Sequence, residues 1–292
     1  MKKHHLFSAS WRRRSTGEKV ILSIMLVVFI IYAFSLIYPF VWAAYNSLKT
    51  GREFNENQFS LPHILQWKNY VEAFSARVGN TSILMSIWNS IWMTALNVVC
   101  GLTFSAMTAY VVAKYKFRGS SVIYAVAVFI QIIPLVGNMP ATYKLLHSTL
   151  GIANNPFLIW VIWCGGFGFS FLMLYSAFKN VSWTYAEAAQ VDGASNFAVF
   201  YKIMIPLIRP LLVSLAIINS INAWNDYMTP YLYMNKYPTL ALAVYELSNE
   251  ATRVGIPLFF AIIMISVVPT LLIFIFFQNT IMENVTTGGL KG

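Results

Sequence analysis

The chain has 292 residues, of which 58% are apolar, 16% aromatic and only 10% charged. Charges are too few to cover a fold of this length with a water-soluble surface, which excludes an ordinary soluble domain; the many Trp and Tyr suit a protein whose boundaries lie at lipid headgroups. The formal net charge of +10 is divided among short segments between apolar runs, so it gives no single basic surface for nucleic acid.

A bilayer-crossing helix needs about 20 predominantly apolar residues, and six runs qualify. The first lies between Lys19 and Lys49, the second between Arg77 and Lys114, the third between Arg118 and Lys144, and the fourth between Lys144 and Lys179. A fifth extends from Ile203 to Pro230, with Arg209 and Asp226 near its ends, and the sixth lies between Arg253 and Glu283. The pattern predicts an all-α polytopic membrane protein of six transmembrane helices, with a basic N-terminal segment 1–19, a spanning domain 20–282 and a tail 283–292. An even number of spans puts both termini on one side. Lys2, Lys3, Arg12, Arg13, Arg14, Lys19, Lys114, Lys116, Arg118, Lys179, Lys202, Arg209 and Lys291 fall on that side. Only Lys49, Arg52, Lys68, Arg77, Lys144, Lys236 and Arg253 fall on the other. The basic excess makes both termini cytoplasmic. The basic start followed by an apolar run has the outline of a secretory signal, but a run of about 29 residues exceeds a signal's apolar region and reads as a retained first span.

Polar punctuation in Gly51–Asn69 marks an external loop, and Leu150–Pro156 a short turn between spans three and four. Gly101, Ser105, Ala109 and Ala113 recur every four residues, lining span two with small side chains that admit a neighbouring backbone. Pro134 and Pro269 remove ladder hydrogen bonds and are expected to kink spans three and six. Cys100 and Cys164 lie inside apolar stretches and read as small packing residues. His4, His5, His63 and His147 lack ligand spacing, so no metal site is expected.

The segment 180–206, between spans four and five, is too long for a minimal turn. It opens with helix formers around Glu187, Ala188 and Ala189, and Asp192-Gly193 then breaks the helix. Phe197, Phe200, Tyr201 and Met204 follow at three- and four-residue spacings, the pattern of an apolar face on a helix outside the membrane. The physical reading is a short helix, a glycine-permitted bend and an amphipathic helix leading into Pro206 on the cytoplasmic side; a helix resting on headgroups would give the same pattern.

Glu187-Ala188-Ala189, Asp192-Gly193-Ala194, Phe200, Ile203, Pro206 and Pro210 resemble the "EAA" signature of permease subunits in binding-protein-dependent ABC importers. The resemblance extends to Trp67–Phe74, Asn89-Ser90, Ile133-Pro134, Leu150–Asn154, Trp224–Tyr227 and Thr287–Gly292, which are similar to the carbohydrate branch and within it to the maltose-type second permease. Two positions depart from the pattern: Ser182 stands where the family usually has Pro, and Ala186 where a second acid is common.

What the resemblance implies is a type I ABC importer permease fold, in which 180–206 docks into a cleft on a cytoplasmic ATPase. It implies a complex of this chain with a second homologous permease, two ATPase subunits and an extracytoplasmic binding protein that delivers a sugar or oligosaccharide, with no nucleic-acid partner. Alternating access is then driven by ATP and Mg held on the ATPase subunits, with no cofactor in this chain. Consistent with a transport subunit that is not an enzyme, there is no Gly-x-x-x-x-Gly-Lys-Ser/Thr loop, and Gly165-Gly166-Phe167-Gly168 lacks the lysine that would reach phosphates. The ATPase-coupling residues are then Glu187, Ala188, Ala189, Asp192, Gly193, Ala194, Phe200 and Pro206, and Gly193→Asp is expected to uncouple transport from hydrolysis. The tail residues Gly289, Lys291 and Gly292 are expected at the ATPase interface.

Asp226 is the one acid well inside an apolar run, which makes it a candidate for the substrate pathway, with Trp224 and Asn225 offering a stacking face and amide hydrogen bonds. Near a span end it serves equally as a structural cap. Asn89, Gln131 and Asn219 are further pathway candidates that serve equally as interhelical hydrogen bonds. The alternative class is an ion-coupled secondary transporter of a small polar solute. Such proteins place carboxylates near mid-membrane and often carry internal repeats, whereas this chain has one peripheral Asp and no visible repeat. A membrane enzyme would need a nucleophile–base or metal constellation, which the sequence does not offer.

Overall fold

The computed structural model describes residues 15–132 and 138–286. Among the described residues, three helices are long and apolar enough to cross a membrane: α1 (Thr16–Asn46), α4 (Ile83–Lys114) and the Ile256–Thr280 part of α15 (Ile256–Thr286). Ser15 starts α1 with a capping box, its hydroxyl accepting from the Glu18 N–H while the Glu18 carboxylate accepts from the Ser15 N–H. Ser82 caps α4 through the Met85 N–H. Pro39 and Pro269 lie inside α1 and α15, both of which run on past them. Pro134 falls outside the described residues.

The remaining apolar runs are less regular than expected. In the third, α5 (Ser120–Ile132) has 13 residues, about 20 Å of helix and short of the hydrocarbon thickness. Beyond residues 133–137, α6 (Asn138–Lys144) leads into a π turn, Leu145–Thr149. In the fourth, a 3₁₀ turn (Ile159–Trp163) gives way to an irregular stretch at Cys164–Gly168 before α7 (Phe169–Asn180). Gly166 has φ +68°, and a Cβ there would meet the Thr108 methyl at 3.1 Å, so this close crossing of α4 requires glycine. The fifth run bends by 79° between Leu207 and Arg209, leaving α11 (Arg209–Asn225) as its straight part; Pro210 in its first turn contributes no N–H that would tie it to the preceding helix.

Between α1 and α4 lie α2 (Gly51–Glu56), α3 (Lys68–Ser75) and a hairpin of β1 (Arg77–Val78) and β2 (Thr81–Ser82), paired Arg77↔Ser82 and Val78↔Thr81. Asn69 fastens this region to the end of α1, its amide donating to the Ser47 and Lys49 carbonyls at 2.7 and 2.8 Å. The Lys49 ammonium is fully buried and donates to the Asn57 carbonyl at 2.9 Å. By contrast, the long apolar stretch of α1 is entirely exposed to its surroundings.

α4 is the central post, packed by α7, α11, α13 (Leu240–Asn249) and the 3₁₀ turn. Its small-residue stripe behaves as expected. Ser105 and Ala109 are buried against α7, and the space above Gly101 ends 3.7 Å away at the Trp163 carbonyl. One core cluster joins Ala106, Ala109 and Tyr110 of α4 to Phe171, Leu174 and Phe178 of α7 and Leu215 of α11. A second joins Ala73, Ile83, Trp224, Leu240 and Ala261 at the opposite end. Cys100 and Cys164 are both free thiols.

Candidate functional site

The segment after α7 folds as the sequence suggests, for local reasons. The Ser182 hydroxyl accepts from the Thr184 N–H at 3.3 Å as α8 (Thr184–Val191) begins. At its other end Gly193, with φ +83°, donates to the Gln190 carbonyl while Ala194 donates to the Ala189 carbonyl. These paired bonds close the helix as a Schellman motif, in which a left-handed residue after the cap lets the chain fold back over the last turn. Ser195 then caps α9 (Asn196–Val199) through the Ala198 N–H, and the Gln190 amide donates to Asn196 Oδ1 at 3.0 Å, tying the two helices across the bend.

The bend is anchored through its inner face. Ala186, Val199 and Met204 are fully buried, and Phe200 is tilted against Tyr110 with ring centroids 5.0 Å apart. Burial of Ala186 explains its departure from the signature, because a carboxylate there would enter the apolar cluster. The expected single apolar face is corrected by this arrangement. A π turn at Phe200–Met204 widens the helix, so Met204 points inward and Phe200 is half-buried, while Phe197 and Tyr201 stay outside with their rings stacked at 6.4 Å.

The outer face is the unusual part. Glu187, Ala188, Asp192 and Gly193 are exposed, and so are large apolar side chains beside them, Val191 by 87% and Phe197 by 70%. Among the described residues neither Glu187 nor Asp192 forms a salt bridge. A recess of about 630 Å³ opens between α8 and the π turn, lined by Tyr185, Ala188, Ala189, Asp192 and Ile203. Of the eight coupling candidates, the structure brings Glu187 through Ala194 together on one bend, sets Phe200 as an anchor below it and leaves Pro206 exposed at its far end. Gly289, Lys291 and Gly292 fall outside the described residues.

The pathway candidates are more scattered. The Asn219 amide donates to Ser170 Oγ at 3.1 Å, linking α11 to the start of α7. Trp224 is buried and donates from Nε1 to the Ser266 carbonyl of α15. Asn225 is exposed, its amide turned back on Ile221. Asp226 ends α11, is half-buried, and accepts from the Thr229 N–H at 3.1 Å as α12 (Met228–Tyr233) begins. It lines a small cavity with Asn97, Thr229 and Thr239. Asn89 is buried and donates to the Pro238 carbonyl, next in sequence to the Thr239 that lines the cavity with Asp226. Gln131 is exposed at the end of α5 and joins none of them.

Two features escaped the sequence reading. Asn222 is exposed between Asn219 and Asn225 on α11, and their three-residue spacing, visible in the sequence, forms a slanted stripe of amides. Beside it, among the described residues, no backbone hydrogen bond is donated by Gly165, Gly166, Phe167 or Gly168. The Thr108 hydroxyl donates to the Gly166 carbonyl at 3.0 Å and pins this unwound stretch against α4.

The body is helical and membrane-embedded, and the bend at 184–204 exposes apolar side chains beside Glu187 and Asp192. The profile of the binding-protein-dependent transport system inner membrane component family matches residues 101–281, and the chain belongs to that family. It is 28% identical to the diacetylchitobiose uptake system permease protein NgcG of Streptomyces coelicolor, over 96% of this chain and 92% of that protein. It is 29% identical to the probable starch degradation products transport system permease protein AmyC of Thermoanaerobacterium thermosulfurigenes, over 94% of this chain and 99% of the relative. A subunit of a bacterial ABC transporter involved in the import of the acidic polysaccharide alginate shares the fold at a TM-score of 0.75 and 22% identity, with 91% of this chain and 98% of that one covered.

Proposed function

We propose that the chain is a permease subunit of an ATP-driven importer that moves a sugar or oligosaccharide from an extracytoplasmic binding protein into the cytoplasm. The observation that carries this reading is the bend at 184–204. It exposes Val191, Phe197 and Tyr201 beside two carboxylates that form no salt bridge among the described residues, on a segment whose inner face is locked to α4 and α7. Exposed apolar side chains on a rigid scaffold mark a protein interface, and family membership supports an ATPase subunit as its partner. The bend packs onto the spans through Phe200 and Tyr110, so movement of the docked partner is transmitted to the helix bundle and not absorbed in a loop.

In this reading six spans cross the membrane, the irregular third and fourth runs among them, with both termini cytoplasmic. A second homologous permease completes the pathway and two ATPase subunits supply ATP binding and hydrolysis. Unwound backbone at membrane depth is tolerated only against protein or a water-filled cavity. Gly166 is held opposite Thr108, about 9 Å along α4 from its cytoplasmic end at Lys114. The unwound Gly165–Gly168 stretch and the Asn219–Asn222–Asn225 stripe are therefore assigned to the pathway side, where amides suit hydroxylated solutes. The sugar substrate follows from relatives named for diacetylchitobiose and starch degradation products.

Affinity purification of the tagged chain from its native membrane tests the proposal. Copurification of an ATPase and of a second permease, with ATP-dependent sugar uptake after reconstitution with the binding protein, is the expected result. Solute uptake by this subunit alone in liposomes, driven by an ion gradient, would refute it.

A further inference from the structure

At the end of α11 remote from the coupling bend, three tyrosines from separate elements meet on the surface. Tyr227 follows α11, Tyr231 lies on α12 and Tyr245 on α13. The Tyr227 and Tyr245 rings stack with centroids 4.6 Å apart and an interplanar angle of 21°, and Tyr231 meets Tyr245 edge-on at 6.0 Å. The rings nevertheless remain 36%, 47% and 41% exposed for Tyr227, Tyr231 and Tyr245. Tyrosines that only anchor a helix at the membrane boundary need no such mutual stacking. Here the cluster stands where the amide stripe of α11 reaches the end of the helix. Asn225 and Asp226 precede Tyr227 directly, and the half-buried Glu246 follows Tyr245.

We infer that Tyr227, Tyr231 and Tyr245 form a receiving platform for a neutral sugar ring at the outer mouth, the first contact of the solute with this subunit before it reaches the amide stripe. Recognition sites combine aromatic surface with a few placed polar groups. A pyranose offers C–H groups on one face for the rings and hydroxyls at its rim for Asn225 and Asp226. Continuity with the stripe selects a sugar over a protein or lipid occupant, because Asp226, Asn225, Asn222 and Asn219 continue from the rings along α11 as a carboxylate and amides suited to hydroxyls, while the Ser220 hydroxyl is turned back on Ala216. The inference rests on the sugar-import reading and adds to it where the solute lands.

The test is saturation-transfer difference NMR on the assembled transporter in nanodiscs without ATP, with maltotriose, raffinose and diacetylchitobiose as probes, alongside uptake by the same preparation. Tyr245→Leu is expected to weaken the ring-proton signal of the bound probe about three- to tenfold, the range of an aromatic contact. Tyr245→Phe retains it, since the ring face stays, and Asn222→Leu leaves a Tyr245-dependent signal in place. Tyr231→Leu supplies a second reading if Tyr245→Leu does not assemble. Signals unchanged in both leucine variants, or abolished by Asn222→Leu alone, overturn the platform while an intact uptake leaves the importer standing. A Tyr245-dependent signal without uptake by any preparation overturns the importer and keeps the platform.

Discussion

Gly193 offers the sharpest separation of folding from coupling. Its φ of +83° is left-handed, yet a Cβ built there meets nothing within 4 Å, so any substitution is opposed by backbone strain and not by a clash inside the chain. For an L-residue that strain is roughly 1–2 kcal/mol, smaller for Asn and Asp and larger for a β-branched side chain. About 1.4 kcal/mol corresponds to a tenfold shift in the opening of the Schellman bonds from Gly193 to Gln190 and from Ala194 to Ala189. Hydrogen exchange of a peptide covering 184–196 should therefore accelerate about tenfold in Gly193→Ala, more in Gly193→Val and least in Gly193→Asn. Because the position is exposed, each added side chain also projects into whatever docks on the bend. Uptake per ATP hydrolysed should then fall in all three variants, and in Gly193→Asp, where a third negative charge joins Glu187 and Asp192. Equal exchange across the Gly, Asn, Ala and Val series would refute the cap argument, and normal coupling in Gly193→Asp would refute the docking argument.

Four further outcomes follow from the packing. Ala186→Glu, which restores the acid common in the family signature, should destabilise this chain by about 3 kcal/mol or more by placing a carboxylate in a fully buried apolar site, read as lost thermal stability or failed accumulation. A double-mutant cycle of Asn219→Ala and Ser170→Ala should give a coupling of about 0.6 kcal/mol, and additive effects would show that their 3.1 Å contact does not join α11 to α7. Burial pushes the Lys49 ammonium below the usual lysine value of 10.5, against a smaller opposing effect of Glu53. Its folded pKa is thus depressed, so stability should rise as pH climbs through that value towards 10.5, and the slope should vanish in Lys49→Met. Cys100 on α4 and Cys164 at the end of the 3₁₀ turn are free thiols on elements that pack together, with a Cβ built on Gly101 3.7 Å from the Trp163 carbonyl, so copper–phenanthroline should convert both to an intramolecular disulfide, measured as the loss of two maleimide-reactive thiols. Retention of both thiols would place them too far apart.

What could be read from the sequence was written in short-range chemistry. The helix formers around Glu187, Ala188 and Ala189 and the break at Asp192-Gly193 lie within a dozen positions, and the bend they predict is the bend that forms. The long apolar helices α1, α4 and α15 were equally plain, because length and composition suffice. The inward turn of Met204 was not, since a π turn adds a residue that no spacing rule anticipates. Nor was the setting of Asn89, whose partner Pro238 lies 149 positions away. Trp224 illustrates the same limit. Its indole was readable as a stacking surface, but its burial against α15 depends on a carbonyl at Ser266 that only tertiary packing supplies.

The attachment of α1 has a mechanical consequence. Its 31 residues extend about 46 Å, well beyond a 30 Å hydrocarbon layer. It is held at one end, where Trp42 meets Phe260 at 5.1 Å and Asn69 fastens Ser47 and Lys49. Among the described residues the helix is thus a cantilever clamped at Trp42–Lys49, and its excess length over the hydrocarbon layer can be taken up by tilting about that clamp. A thinner membrane lays the beam over and a thicker one raises it, with the torque delivered to the Asn69 clasp.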